Sequence, residues 1–155
     1  MTSLLTHCCG SRFRLSGEKV WLRPLAEKDA TQRYLRWLNN PDVNEYSNRS
    51  GQTFNMHDIS VFIASANESQ ERLLLGIFTK KDNQHVGNIQ ITIIDLNSGV
   101  AEISNLIGEQ NYWGKGVIKD ADTQAIHFGF SALQIQKFAM GNIAPHRAST
   151  FKSRI

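Results

Sequence analysis

Apolar residues change period several times along the chain, and each change marks an element. Residues 19–23 alternate loosely and predict a first strand, which Pro24 ends. Over residues 26–39, Ala30, Tyr34, Leu35 and Leu38 recur near helical spacing with Trp37 flanking the same face. Asn39-Asn40-Pro41 closes that helix, and Val43 and Tyr46 fit a short further turn. The polar stretch 47–53 reads as a loop free to line a pocket. Ile59, Phe62, Ile63 and Ala66 then place a second amphipathic helix over residues 56–66.

From there the period shortens. Residues 73–79 are a continuous apolar run, residues 86–94 a second strand with Gly87 as a bulge or close-approach point, and residues 100–107 a third. The connections 80–84 and 95–99 are turn-rich, so these strands form an antiparallel meander. Ala121, Ala125, Phe128 and Ala132 mark a helix over residues 117–133, residues 136–143 a last strand, and Pro145 its break. Residues 146–155 begin a further helix. The pattern predicts an α+β domain: a mixed, mostly antiparallel central sheet flanked by helices, spanning 17–155 behind a loose leader, 1–16.

Composition adds bounds. The chain has 155 residues, 41% hydrophobic and 20% charged, with a formal net charge of +3. One domain with a real core follows. The mild charge suits an anionic small ligand and lacks the basic run of a nucleic-acid binder. No apolar run has transmembrane length and the N-terminus is a poor signal peptide, so a cytoplasmic protein with no membrane partner is expected. Cys8 and Cys9 are adjacent and form neither a disulfide framework nor a ligand set, and no metal site is expected.

The candidate chemistry lies in Asn111-Tyr112-Trp113-Gly114-Lys115-Gly116-Val117-Ile118-Lys119-Asp120, between a strand and a helix. Glycines two apart let the backbone bend and approach a ligand, and the helix start offers unpaired N–H groups to an anion. The Walker spacing is absent. A dinucleotide fingerprint would need a third glycine where Lys119 stands, and a parallel framework. A pyrophosphate cradle is the resulting expectation; a plain strand-to-helix turn stays open.

Residues 19–149 resemble the GNAT superfamily of N-acyltransferases, in the branch of ribosomal-protein N-terminal and spermidine acetyltransferases. The segments carrying the resemblance are Trp21-Leu22-Arg23-Pro24-Leu25 with Asp29; Arg36-Trp37-Leu38-Asn39-Asn40-Pro41-Asp42-Val43; Val86-Gly87-Asn88-Ile89; Ala101-Glu102-Ile103; Leu106-Ile107-Gly108; and Tyr112-Trp113-Gly114-Lys115-Gly116. His146-Arg147-Ala148-Ser149 is a weaker echo of the family's Asn-x-Ala-Ser.

The resemblance implies that acetyl-CoA is the cosubstrate and a primary amine the acceptor: a protein N-terminus, a polyamine or an aminosugar. The main chain of Trp113, Gly114, Lys115, Gly116, Val117 and Ile118 would hold the pyrophosphate. Ile118 stands where a small residue is usual and would crowd it. Backbone N–H groups near Leu106 and Ile107 would hold the thioester oxygen, and His146 would lie near the coenzyme arm. Glu102 would be the base for the amine, its pKa raised by burial; a solvent-facing Glu102 is the other reading. Asn40, Tyr46 and Asn105 would shape the acceptor site.

The family often protonates the departing thiolate with a tyrosine after Asn-x-Ala-Ser, whereas this chain has only Tyr34, Tyr46 and Tyr112. It also stops before the usual closing strands, implying C-terminal truncation, with either a homodimer through an exposed sheet edge or reduced stability. A catalytically weak or silent acyl-CoA-binding protein is therefore the alternative reading. A module for another phosphate-bearing ligand is a third.

Overall fold

A computed structural model describes residues 3–10, 12–44 and 51–140. Its single six-stranded sheet runs β1 (Leu15–Ser16), β2 (Val20–Pro24), β3 (Arg72–Thr79), β4 (His85–Asp95), β5 (Val100–Ile107) and β6 (Lys137–Met140), in chain order across the sheet. Neighbours are antiparallel except β5 and β6, which are parallel and need the crossover helix α5 (Val117–Ala132). The expected mixed, mostly antiparallel architecture is thus present.

Alternation along the strands builds two cores. Leu73, Leu75 and Ile77 of β3, Ile89 and Ile91 of β4 and Ala101 and Ile103 of β5 pack with Ala121, Ala125 and Phe128 of α5. Leu74 and Phe78 face the other way, onto Tyr34, Trp37 and Leu38 of α2 (Gln32–Asn39) and Ile59, Ile63 and Ala66 of α4 (Met56–Glu68). The meander and second helix match the sequence reading.

The first helix is shorter than its apolar spacing predicts. A 3-10 turn, Glu27–Asp29, comes first, and Thr31 then caps α2 by accepting from the Tyr34 N–H. The short α3 (Pro41–Asn44) follows.

The N-terminal segment is not a loose leader among the described residues. The short α1 (Leu4–Cys8) buries Leu4 and Leu5 in the α5-side core, the Leu4 N–H donates to the Ser69 carbonyl at 2.7 Å, and β1 extends the sheet. Two adjacent leucines have no periodicity to read, which is why the pattern misses them. The last predicted strand is described only as Lys137–Met140.

Candidate coenzyme and acceptor site

Gly114 and Gly116 have φ of 74° and 80°, the left-handed region where a side chain is strained. Gly116 is the N-cap residue of α5, with no side-chain cap, and the first helical bond is Asp120 N–H to the Gly116 carbonyl at 3.1 Å. The N–H groups of Val117, Ile118 and Lys119 therefore lack intrahelical acceptors, and Trp113, Gly114, Lys115 and Gly116 lie exposed beside them. This is an anion cradle at a 16-residue helix. Ile118 does not crowd it: its side chain packs against the α5-side core.

Two residues to which the sequence reading gives no role in the site hold the cradle. The Lys19 ammonium donates to the Lys115 carbonyl at 2.6 Å. The peptide is planar and trans, so the Gly116 N–H points opposite to that carbonyl, away from Lys19. The Asp120 carboxylate accepts from the N–H groups of Glu18, Lys19 and Val20 at 3.0, 2.8 and 3.0 Å, pinning the start of β2 to the first turn of α5. A Cβ at Gly17 would come within 2.5 Å of that carboxylate, so glycine is needed there. The partners lie about a hundred positions apart, beyond any local pattern.

At the other wall, β6 pairs with Val100–Ile103 within the described residues, which end at Met140. The Gly108 N–H donates to the Val86 carbonyl at 2.9 Å and continues the β4–β5 register. By antiparallel alternation Leu106 then bonds toward β4, while the Ile107 backbone points away from β4. Of the two residues expected to hold the thioester oxygen, only Ile107 turns its backbone away from β4. Its carbonyl accepts from Trp113 Nε1 at 2.9 Å, anchoring the loop to the strand. Gly87 is a close-approach point: a Cβ there would lie 2.2 Å from the Leu106 carbonyl oxygen.

The side chains of β5 divide by face. Asn105 shares the α5 side with Ala101 and Ile103 and donates to buried Asp122 at 2.6 Å, so it braces α5 rather than facing the acceptor side. Glu102 and Ser104 lie on the opposite face and are exposed. The burial expected to activate Glu102 is therefore absent; its reach to solvent and to an incoming amine is what the position offers.

Next to this face, His85 sits against Phe78, Trp37 and Tyr34, ring centroids 4.9, 4.8 and 5.7 Å away. Its Nε2 bonds Asn88 Oδ1 at 2.8 Å, and burial lowers its pKa. Glu109 accepts from Trp37 Nε1 at 3.0 Å and Arg33 at 3.2 Å, tying α2 to the loop before the cradle. Asn40 is engaged locally: its side-chain oxygen caps the Asp42 N–H at 3.0 Å. Tyr46 and His146 lie outside the described residues. Among the described residues, no three His, Cys, Asp or Glu side chains converge on a metal position, and no helix is long and apolar enough to cross a membrane.

Comparison with known proteins agrees with this geometry. The family described as "Acetyltransferase (GNAT) domain" matches residues 19–150. An uncharacterized N-acetyltransferase, p20, of Bacillus licheniformis is 26% identical over 137 residues, covering 87% of this chain and 75% of that one. A GNAT-family acetyltransferase from Bacillus anthracis superposes with a TM-score of 0.79 at 16% identity, over 91% of this chain and 80% of that one. A spermidine N-acetyltransferase from Vibrio cholerae, solved with CoA and spermine, superposes with a TM-score of 0.75 at 14% identity, over 87% and 78%.

Proposed function

The chain belongs to the GNAT acetyltransferase family, and from that footing we propose that it moves an acetyl group from acetyl-CoA to a primary amine by direct attack in a ternary complex. The observation that carries the proposal is the left-handed Gly114 and Gly116 loop that opens α5, anchored to the end of β5 by the Trp113 Nε1 bond to the Ile107 carbonyl. The cradle takes the pyrophosphate on its main-chain N–H groups, and the Ile107 backbone faces the thioester oxygen.

The acceptor is a protein N-terminus, a polyamine or an aminosugar, approaching the sheet face that carries Glu102 and Ser104. Its nitrogen attacks the thioester carbonyl carbon while its surplus proton passes to the Glu102 carboxylate, directly or through a water. The C–S bond breaks, and the CoA thiolate takes a proton from solvent. Asn40, Tyr46 and His146 remain candidates for the rim of the site.

One observation favours a second reading, a coenzyme-binding protein with weak turnover. Among the described residues, Tyr34 is buried on α2 and Tyr112 precedes the cradle, and neither α5 nor β6 carries a tyrosine to protonate the thiolate. An amine panel with purified protein separates the readings. Thiol release with acetyl-CoA and at least one amine supports transfer. A thermal shift with CoA but no release for any amine leaves binding alone. Glu102→Gln should slow release by roughly 10²-fold with unchanged CoA affinity; unchanged turnover removes Glu102 from the mechanism.

A further inference from the structure

At the far end of β2 from the cradle is a hollow of about 370 Å³ lined by Arg12, Arg14, Arg23, Pro24, Ala26 and Lys28. No carboxylate lines it. Asp29 beside it is spent: it takes both guanidinium nitrogens of Arg23 at 2.8 Å and the Ala26 N–H at 2.8 Å. Arg12, Arg14 and Lys28 have no ion-pair partner among the described residues. Four cations against Asp29 and the neighbouring Glu27 leave a local excess of +2 around the hollow.

Two of the cations are fixed in place. The Arg14 guanidinium lies 4.5 Å from the Trp21 ring centroid, and that indole is itself held by Asn83 at 3.0 Å. Arg23 lies 4.0 Å over Phe78 and is locked by Asp29. Stacked guanidiniums lose little freedom on binding and present forked donors suited to tetrahedral oxyanions. Crowding unpaired like charges around a concavity costs energy that a bound anion relieves.

We propose that this hollow is a second anion site, for the phosphoryl group of a small phosphorylated molecule. It is separate from the cradle: Arg23 is several residues along β2 from Lys19, roughly 13 Å in an extended strand. A single concavity suits one compact anion, whereas nucleic acid needs an extended track of cations.

The experiment uses the full chain saturated with CoA, with inorganic pyrophosphate as probe and sodium chloride at matched ionic strength as control. A further rise in melting temperature of about 2 °C or more is expected from pyrophosphate and not from chloride. Arg14→Gln with Lys28→Gln should abolish that rise and leave the CoA-induced rise intact, which also shows that the variant folds. Lys28→Gln alone, whose side chain holds no structural contact, should at least halve it. No additional rise in the CoA-saturated protein, or a rise that survives both variants, overturns the site. Tighter binding of single-stranded RNA than of pyrophosphate, with a steep salt slope, overturns the small-ligand assignment. Failure of CoA itself to shift the melting temperature counts against the transferase reading alone, since pyrophosphate is then scored on the same variants without it.

Discussion

The Lys19 ammonium, at the start of β2, lies 2.6 Å from the carbonyl oxygen of Lys115 inside the glycine loop. That contact grips the back of the one peptide whose front is the Gly116 N–H. It orients and polarises the donor without touching the ligand. Lys19→Met should weaken CoA binding by roughly two- to fivefold, the range for one exposed charged contact, with kcat unchanged. Lys19→Arg should restore most of the loss. Calorimetric titration of CoA and a KM-against-kcat comparison check both.

Asp120 satisfies three backbone N–H groups at once. Asp120→Ala leaves them to water and frees β2 from α5, so unfolding free energy should fall by about 1–3 kcal/mol. Asp120→Asn keeps an acceptor and should lose less. Chemical denaturation of the variants beside the parent gives the values.

Burial holds the pKa of His85 below its ordinary 6.5, against the opposing pull of the Asn88 hydrogen bond and of Asp29, with Arg23 nearby lowering it further. The unfolded chain therefore takes up the proton first as pH falls. The neutral ring's contribution is fully present above about pH 6.5 and is lost on acidification through the unfolded value. Melting temperature should decline between pH 7 and pH 5, and His85→Gln should flatten that part of the profile. An equally steep decline in the variant would assign it elsewhere.

Cys9 is pushed up to about 11 by burial and by the charge of Cys8 beside it. The thiolate is the reactive form, so near pH 8 alkylation of Cys9 in the native protein should run about 100-fold slower than in the urea-unfolded chain. The sign for stability is the reverse of the histidine case. Above the ordinary thiol value of 9.0 the unfolded state loses its proton first, and stability falls through about 11.

Much of this was legible in the residues. The meander follows from three apolar runs separated by short turns, and the cradle from Gly114 and Gly116 placed before a helical period. Asn105 is expected on the acceptor side, although its shared parity with Ala101 and Ile103 directs it toward α5 rather than toward the face of Glu102. Other features were not legible. The five-residue α1 and the two-residue β1 are too short to show a period. The Lys19–Lys115 and Asp120–Val20 contacts depend on where strands dock, which no local pattern encodes. Nothing in the sequence distinguishes an Arg23 spent on Asp29 from an Arg14 left facing a hollow.

The clamp between Asp120 and the start of β2 has a consequence for biosynthesis. The N-terminal strand leaves the ribosome a hundred residues ahead of the helix it must meet, and the loop between them is closed only when both have docked. Coenzyme affinity therefore arises late, as a property of the joined ends of the chain. A nascent chain halted before α5 would carry most of its strands already paired and still bind no coenzyme.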